Sequence, residues 1–436
     1  MGGGSGHGPR NYRPGAAQPH SDSAQTLAID RRLAALGARA ERVPATPLGL
    51  YVHVPYCARR CGYCAFTTYV VSDPVEAAAA QVQFTDGAVA ELSTAATVLR
   101  GAPALTSVFV GGGTPSLLDP ELLVRLLDAV RDQFDVADDL EMTVEANPGG
   151  LADGGSADET FGTWAAAGVT RVSFGLQSAV PRVLELLDRT HSPDAAARAV
   201  AAATAAGVPH TSVDLIYGTP GESADDWATS LGAALDTGAD HVSAYALGVE
   251  PGTKLAARVR GGSLTAPSDD EAAERYVQAD ALLRAAGFAW YEVSNWSRTP
   301  AAQSRHNHLY WHNHHWWGVG PGAHSHVAGV RWSNARDPGA WADAAQDGRD
   351  HVEELEVLDG AAQELERMLL GVRLAEGLPV DGLARHAVDR VVDDGLATAD
   401  GDRLVLTLTG RLLADTVVRA LVGPEGPGYR SAASSS

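Results

Sequence analysis

Cys57, Cys61 and Cys64, in the run CARRCGYC, are the only cysteines in this 436-residue chain. Their CxxxCxxC spacing offers three thiolates, whereas an iron-sulfur cluster is ordinarily held by four. A 4Fe-4S cube seated here keeps one iron open. That iron can be chelated by an amino acid's amino and carboxylate groups, the arrangement in which an electron reaches the sulfonium of S-adenosylmethionine. A disulfide fits poorly, because three bunched cysteines leave a thiol over and the chain shows no secretory context. The competing site is structural zinc of the Cys3His type, with His53 four residues before Cys57. Zinc ligands usually fall into two well-separated pairs, so the cube is the better reading.

The elements that must position this loop follow from pattern. Strand-like runs occupy Leu48 to Val54, Thr106 to Val110, Leu140 to Ala146, Thr170 to Leu176, Thr211 to Gly218 and His241 to Leu247. Ala- and Leu-rich helical stretches alternate with them, among them Glu76 to Leu99, Pro120 to Phe134, Ala195 to Ala206 and Asp269 to Ala286. Six β-α units with short turns predict an α/β fold, a partial parallel (β/α)6 barrel, and Phe288 to Ser294 reads as a flanking strand. In such barrels reactive groups gather where strands end. Here strand one runs into the cysteine loop, and the next five end in or carry Gly111-Gly112-Gly113-Thr114, Glu145-Ala146-Asn147, Gln177, Asp214 and Glu250-Pro251-Gly252. Glycines admit close backbone approach to a ligand, and a carboxylate suits a ribose diol or an ammonium.

Composition bounds the partners. Net charge is −21, with 54 acidic against 33 basic residues, and Lys254 is the only lysine. That balance argues against a nucleic-acid or anionic-membrane surface. No run reaches the ~20 apolar residues of a membrane span, and the first 25 residues lack the apolar core of a signal peptide. A reducing cytoplasm is the expected location. Residues 1–46 read as a disordered tail followed by a short helix, Leu27 to Glu41; 47–300 as the barrel; 301–353 as a His/Trp-rich segment; 354–421 as a small C-terminal domain; and 422–436 as a second tail. The C-terminal domain offers helices and a hairpin with an Asp-Gly turn at 400–401, a winged-helix-like layout. The acidic balance favours a lid or docking role for it over DNA binding.

Seven of fifteen histidines lie between His306 and His326, and seven of nine tryptophans between Trp290 and Trp341. Imidazoles offer axial iron ligation and indoles an apolar face for a macrocycle. The alternative is a packed aromatic layer closing the barrel, with histidines at its wet rim.

In order, CARRCGYCAF, GGGTPSLL, EANPG, VSFGLQS, LLDRTHS, VDLIYGTPGES, SAYALGVEPGT and YEVSNW resemble the radical SAM family that contains the oxygen-independent coproporphyrinogen III oxidase and its haem-chaperone paralogue. The resemblance runs from about Pro47 to about Leu421. It implies a radical SAM barrel with a 4Fe-4S cluster on Cys57, Cys61 and Cys64. It also implies S-adenosylmethionine contacts at Tyr51, Tyr63, Gly112, Gly113, Thr114, Glu145, Gln177, Arg189, Asp214 and Ala246. Tyr63 matches the position against adenine, and Arg189 suits the methionine carboxylate by its bidentate geometry. The oxidase branch carries a further cysteine where Phe66 stands here, and His306, Asn307, Tyr310 and Trp311 satisfy the HNxxYW motif of the chaperone branch.

The resemblance therefore implies a haem-binding and transfer protein on a radical SAM scaffold, lacking coproporphyrinogen oxidase activity, that serves apo-haemoproteins and takes a reductant for the cluster. The alternative is the oxidase itself, decarboxylating coproporphyrinogen III. Within the motif, His306 is the expected iron ligand, Asn307 its orienting partner, and Tyr310 and Trp311 the porphyrin wall. His308, His312, His314 and His315 are chemically equally able.

Overall fold

The computed structural model describes residue 36, residues 46–151 and residues 156–423. The tail and most of the helix expected over 1–46, and the second tail beyond residue 423, lie outside the described residues.

Six parallel strands form the barrel: β1 (Leu48–Val54), β2 (Leu105–Gly112), β3 (Val136–Ala146), β4 (Arg171–Gln177), β5 (His210–Tyr217) and β6 (His241–Ala246). Around them run α1 (Pro74–Val98), α2 (Pro120–Gln133), α3 (Ser156–Ala166), α4 (Ala195–Ala205), α5 (Ala224–Asp236) and α6 (Asp269–Ala285). Period-two alternation explains the layering. Leu48, Leu50, Val52, Val108, Val110, Val144, Val172, Phe174, Val213 and Val242 point outward and are fully buried in one continuous core. The alternate residues, among them Tyr51, Ser107, Glu141, Glu145, Ser173 and Asp214, face the interior, which is therefore polar. Caps set the helix starts: Asp73 accepts from Val75 N and Glu76 N at α1, and Ser223 with Asp226 closes a capping box at α5.

The sheet does not stop at β1. Its order is β12-β11-β10-β9-β1-β2-β3-β4-β5-β6-β8-β7. Here β7 (Ala289–Glu292) and β8 (Asn295–Ser297) form an antiparallel pair, β8 lying antiparallel against β6. On the other edge β9 (His315–Val319) pairs parallel with β1, followed by antiparallel β10 (His324–Val327), β11 (Val330–Asn334) and β12 (Val352–Val357). The His/Trp-rich stretch thus supplies a wing that continues the barrel sheet, with α7 (Arg305–Trp311) entering the barrel and α8 (Pro338–Gln346) packing on α1. Trp296, Trp317 and Trp341 are fully buried, so much of the aromatic cluster is core.

One buried carboxylate ties the wing down. Glu91 of α1 accepts from Gly320 N at 3.0 Å, Asn334 Nδ2 at 2.9 Å and Trp341 Nε1 at 3.0 Å, and pairs with His351 Nε2 at 2.8 Å. Gly87, one turn earlier, has no room for a side chain, since a Cβ would lie 2.9 Å from Ala342 Cα.

A second core, containing Met368, Val372, Val391, Leu404, Val417 and Leu421, is built from α9 (Gly360–Gly371), α10 (Arg385–Asp393), α11 (Ala414–Val422) and the three-stranded sheet of β13 (Leu378–Pro379), β14 (Ala397–Asp400) and β15 (Arg403–Leu406). The expected hairpin forms, but its two turn residues are Gly401 and Asp402, one residue later than the Asp400-Gly401 turn expected, because Asp400 stays in β14 opposite Arg403. Arg411 fastens this unit to the barrel: its guanidinium holds Asp280 of α6 at 2.9 and 3.1 Å and lies 4.3 Å over the Trp290 ring.

Candidate site at the barrel mouth

The cysteine loop is pinned by continuation of the β1–β2 ladder. Gly113 N donates to Val54 O and Thr114 N to Tyr56 O, both at 2.8 Å. Gly113 must lack a Cβ, which would stand 2.5 Å from Tyr56 O, and Gly112 combines φ of +106° with a Cβ position 2.6 Å from the His53 ring. The glycine run therefore lets two chains meet beneath the loop. Thr114 Oγ1 donates to Cys57 Sγ at 3.5 Å and Arg189 Nη1 to Cys61 Sγ at 3.7 Å. Burial pushes the Cys57 thiol up to about 11, against the Thr114 hydrogen bond, and raises Cys64 likewise. Metal charge is what replaces such protons.

His53 does not complete a zinc site. Its Nε2 reaches Thr67 O at 2.9 Å and its Nδ1 the Tyr51 hydroxyl at 2.9 Å, so both ring nitrogens are engaged. Among the described residues no three His, Cys, Asp or Glu side chains converge as a single-ion site.

Below the loop two carboxylates share the mouth. Glu145 accepts from Gly112 N at 3.0 Å, yet burial, and then the charge of Asp214, push it up to about 8. Asp214 accepts from Ser173 Oγ at 3.1 Å and from Ser243; burial still raises it to about 6. Ser173 and Ser243 were not singled out from sequence; their period-two position beside Asp214 on neighbouring strands was the available signal.

Arg189 spans from Cys61 to Gly175 O (3.0 Å) and Asn147 Oδ1 (3.4 Å), and its buried Nε has no partner among the described residues. Gly175 was also missed. A Cβ there would lie 2.8 Å from Gln177 Nε2 and 3.0 Å from Arg189 Nη2, so its absence makes room for both side chains. Gln177 closes β4 with φ of +62°. Tyr63 packs beside an apolar group of Val183, Leu187, Ile216, Leu247 and Leu255, while Ala246 is exposed at the end of β6.

These residues fit the expected cofactors. Two under-compensated carboxylates favour a cationic, diol-bearing ligand, the orphaned Arg189 N–H awaits an acceptor, and the apolar group around Tyr63 suits a base.

The HNxxYW residues lie deeper, and differently from expectation. Ser304 caps α7, whose first amides, Arg305 N and His306 N, donate to Glu141 at 3.1 Å, with Ser304 Oγ at 3.3 Å. His306 is 1% exposed. Its Nδ1 bonds Ser107 Oγ at 2.8 Å and its Nε2 the Tyr310 hydroxyl at 2.9 Å, and its ring stacks on Phe109 at 5.2 Å. Burial lowers it to about 3, so the ring is neutral. With both nitrogens engaged, His306 is not presented to an iron in this conformation. Asn307 does not orient it. Instead Asn307 Nδ2 and Trp311 hydrogen-bond Glu292, which Ser294 N and Asn295 also reach. The motif braces α7 against the barrel. Tyr310 alone of the four borders a cleft, described below.

Residues 51–233 match the radical SAM superfamily. The chain is 51% identical over 385 residues, 87% of its length and 96% of the relative's, to the haem chaperone HemW of Mycobacterium tuberculosis. It is 31% identical to the haem chaperone HemW of Bacillus subtilis, over 86% of this chain and 98% of that one. Among solved structures, the coproporphyrinogen III oxidase HemN of Escherichia coli, a radical SAM enzyme, superimposes with a TM-score of 0.73. It covers 89% of this chain and 92% of its own at 19% identity, a likeness of fold.

Proposed function

The chain belongs to the HemW haem-chaperone family of radical SAM proteins, and from that premise we propose that it binds haem and passes it to apo-haemoproteins. The observation that carries this reading is the 51% identity over 87% of this chain and 96% of the mycobacterial chaperone. Phe66, where the oxidase branch carries its extra cysteine, is consistent with it, standing 63% exposed two residues beyond Cys64.

In this proposal Cys57, Cys61 and Cys64 hold the cluster, with Thr114 and Arg189 donating to the thiolates. Glu145, Asp214, Gln177 and Arg189 receive the polar parts of S-adenosylmethionine, Tyr51, Gly112 and Gly113 stand at its methionine end, and Tyr63 and Ala246 flank the base. The cluster, when bound, supplies an open iron and an electron. What the protein's own groups supply is orientation and desolvation, as in cofactor sites generally. Among the described residues no helix is long and apolar enough to cross a membrane. An oxygen-sensitive cluster on Cys57, Cys61 and Cys64 suits a reducing cytoplasm and an external reductant.

The test is a haemin titration of the anaerobically reconstituted protein, followed at the Soret band, beside an anaerobic assay with coproporphyrinogen III. Saturable haemin binding without conversion to protoporphyrinogen supports the chaperone. Conversion would overturn it.

A further inference from the structure

We propose that the haem seat is the cleft between the β9–β12 wing and α9, with His324 as the iron ligand in place of His306; the assignment rests on the chaperone reading and names its site. The cleft holds about 720 Å³, within the ~300–1,000 Å³ of small-molecule sites. Tyr310, Trp316, His324, Arg331, Leu369 and Leu370 are among its walls.

Strand register shows where it opens. Tyr51 pairs with Gly318 and Gly49 with Trp316, Trp316 with His326, His324 with Ser333, and Arg331 with Glu356. Paired residues share a face. The cleft floor is therefore the barrel's interior face carried past β1, and Tyr310 stands between it and the carboxylates of the mouth. Tyr310 meets Trp316 edge-on at 4.7 Å, and its hydroxyl holds His306.

The histidines differ in what their nitrogens are doing. His306 has both engaged. His308 Nε2 bonds Gln303 Oε1 at 2.9 Å, and His312 stacks between His308 and His314 with Glu376 at 3.7 Å. His315, in register with Leu48, faces the helix side. His326 faces the cleft floor and bonds His314 O through Nδ1 at 3.0 Å; its Nε2 has no partner among the described residues, but the residue is 3% exposed. His324 lines the cleft and is exposed, and among the described residues no hydrogen bond holds its ring.

Its backbone, by contrast, is fixed. The His324 carbonyl accepts from Trp316 Nε1 at 3.1 Å, and a Cβ at Gly318 would collide with that carbonyl. An imidazole with open nitrogens on an anchored strand is a preorganised axial ligand.

Charge orients the macrocycle. Arg331, the cation of the floor, is already paired with Glu366 at 2.6 Å and Glu356 at 2.7 Å. Propionates gain nothing by entering, so the apolar edge goes in against Trp316, Leu369 and Leu370 with the propionates at the mouth.

The experiment titrates haemin into the cluster-loaded parent and into His324→Ala, His306→Ala and Leu370→Trp. Metal-free protoporphyrin IX is run beside it, with circular dichroism as a check on folding. His324→Ala should bind haemin at least tenfold more weakly with a shifted Soret band and altered axial-ligand EPR, yet hold protoporphyrin within about twofold of the parent. Leu370→Trp should weaken both porphyrins, and His306→Ala, where folded, should keep the parental haem spectrum. An unchanged haem spectrum and affinity in His324→Ala would overturn the assignment while leaving the chaperone reading standing. Absence of saturable haemin binding by the parent would remove that reading and this assignment together.

Discussion

Binding of S-adenosylmethionine should expel a proton from Glu145, and the size of the effect follows from the mouth geometry. Glu145 sits between the Gly112 amide and Asp214, and is raised from an ordinary 4.5 to about 8, first by burial and then by Asp214. At pH 7 only about one tenth of it is ionised. A cationic ligand seated on the carboxylate requires the ionised form, so about 0.9 proton leaves per ligand bound, and affinity gains about eightfold between pH 6.5 and 7.5 before levelling above 8. The sign for stability is opposite. The ligand-free fold binds more protons here than the unfolded chain, so it loses stability as pH rises from about 4.5 towards about 8.

Calorimetry of the anaerobic, cluster-loaded protein in two buffers of different ionisation enthalpy counts the protons. The ligand's own amine also titrates, so the quantity to read is the parent minus Glu145→Gln. A difference near 0.9 proton, with the variant's affinity nearly flat in pH, is expected. An equal proton count and equal pH slope in the two proteins would refute the placement of Glu145 against the ligand.

Cys61→Ala should abolish the anaerobic cluster absorbance, since three thiols are the minimum for an open-iron cube; a parental iron and sulfide content would contradict it. Gly175→Ala puts a Cβ 2.8 Å from Gln177 Nε2 and 3.0 Å from Arg189 Nη2. It should weaken S-adenosylmethionine binding roughly tenfold while leaving the melting temperature nearly unchanged, on the scale of a misplaced charge-assisted hydrogen bond. Arg411→Ala leaves the buried Asp280 carboxylate with only Trp296 Nε1 at 3.1 Å and Arg284 at 3.8 Å, and should cost about 1.5–3 kcal/mol in urea unfolding. A loss below 1 kcal/mol would show that this contact does not fasten the C-terminal unit.

Much of the barrel was legible because its signals are local. The strand runs read at Leu48 to Val54 and His241 to Leu247 fall within a residue of β1 and β6, and the helices at 120 and 195 begin where expected. Alternation of apolar with polar residues sets which side of each strand meets helices. The cysteine spacing, the carboxylates at strand ends and the glycine run all lie where the chain emerges from a strand, so topology brought them together once the barrel was recognised. The wing was not legible. HWWGV carries no mark of pairing in parallel with β1, some 265 residues earlier, because strand order depends on long-range packing rather than on periodicity.

The sequence by itself determined the donor set, three thiols and no fourth, together with the six β-α units that hold them in one cup. It also supplied the histidines, whose number and type are covalent facts. Only the tertiary structure decided which of them presents an open ring to a cleft. His306 meets Ser107 across 199 residues, and its helix start meets Glu141 across 165, while among the described residues no hydrogen bond holds the exposed ring of His324 in its cleft. A side chain's availability for ligation is set by the partners that desolvation forces it to find, and those partners are assembled by the fold rather than by neighbours in sequence.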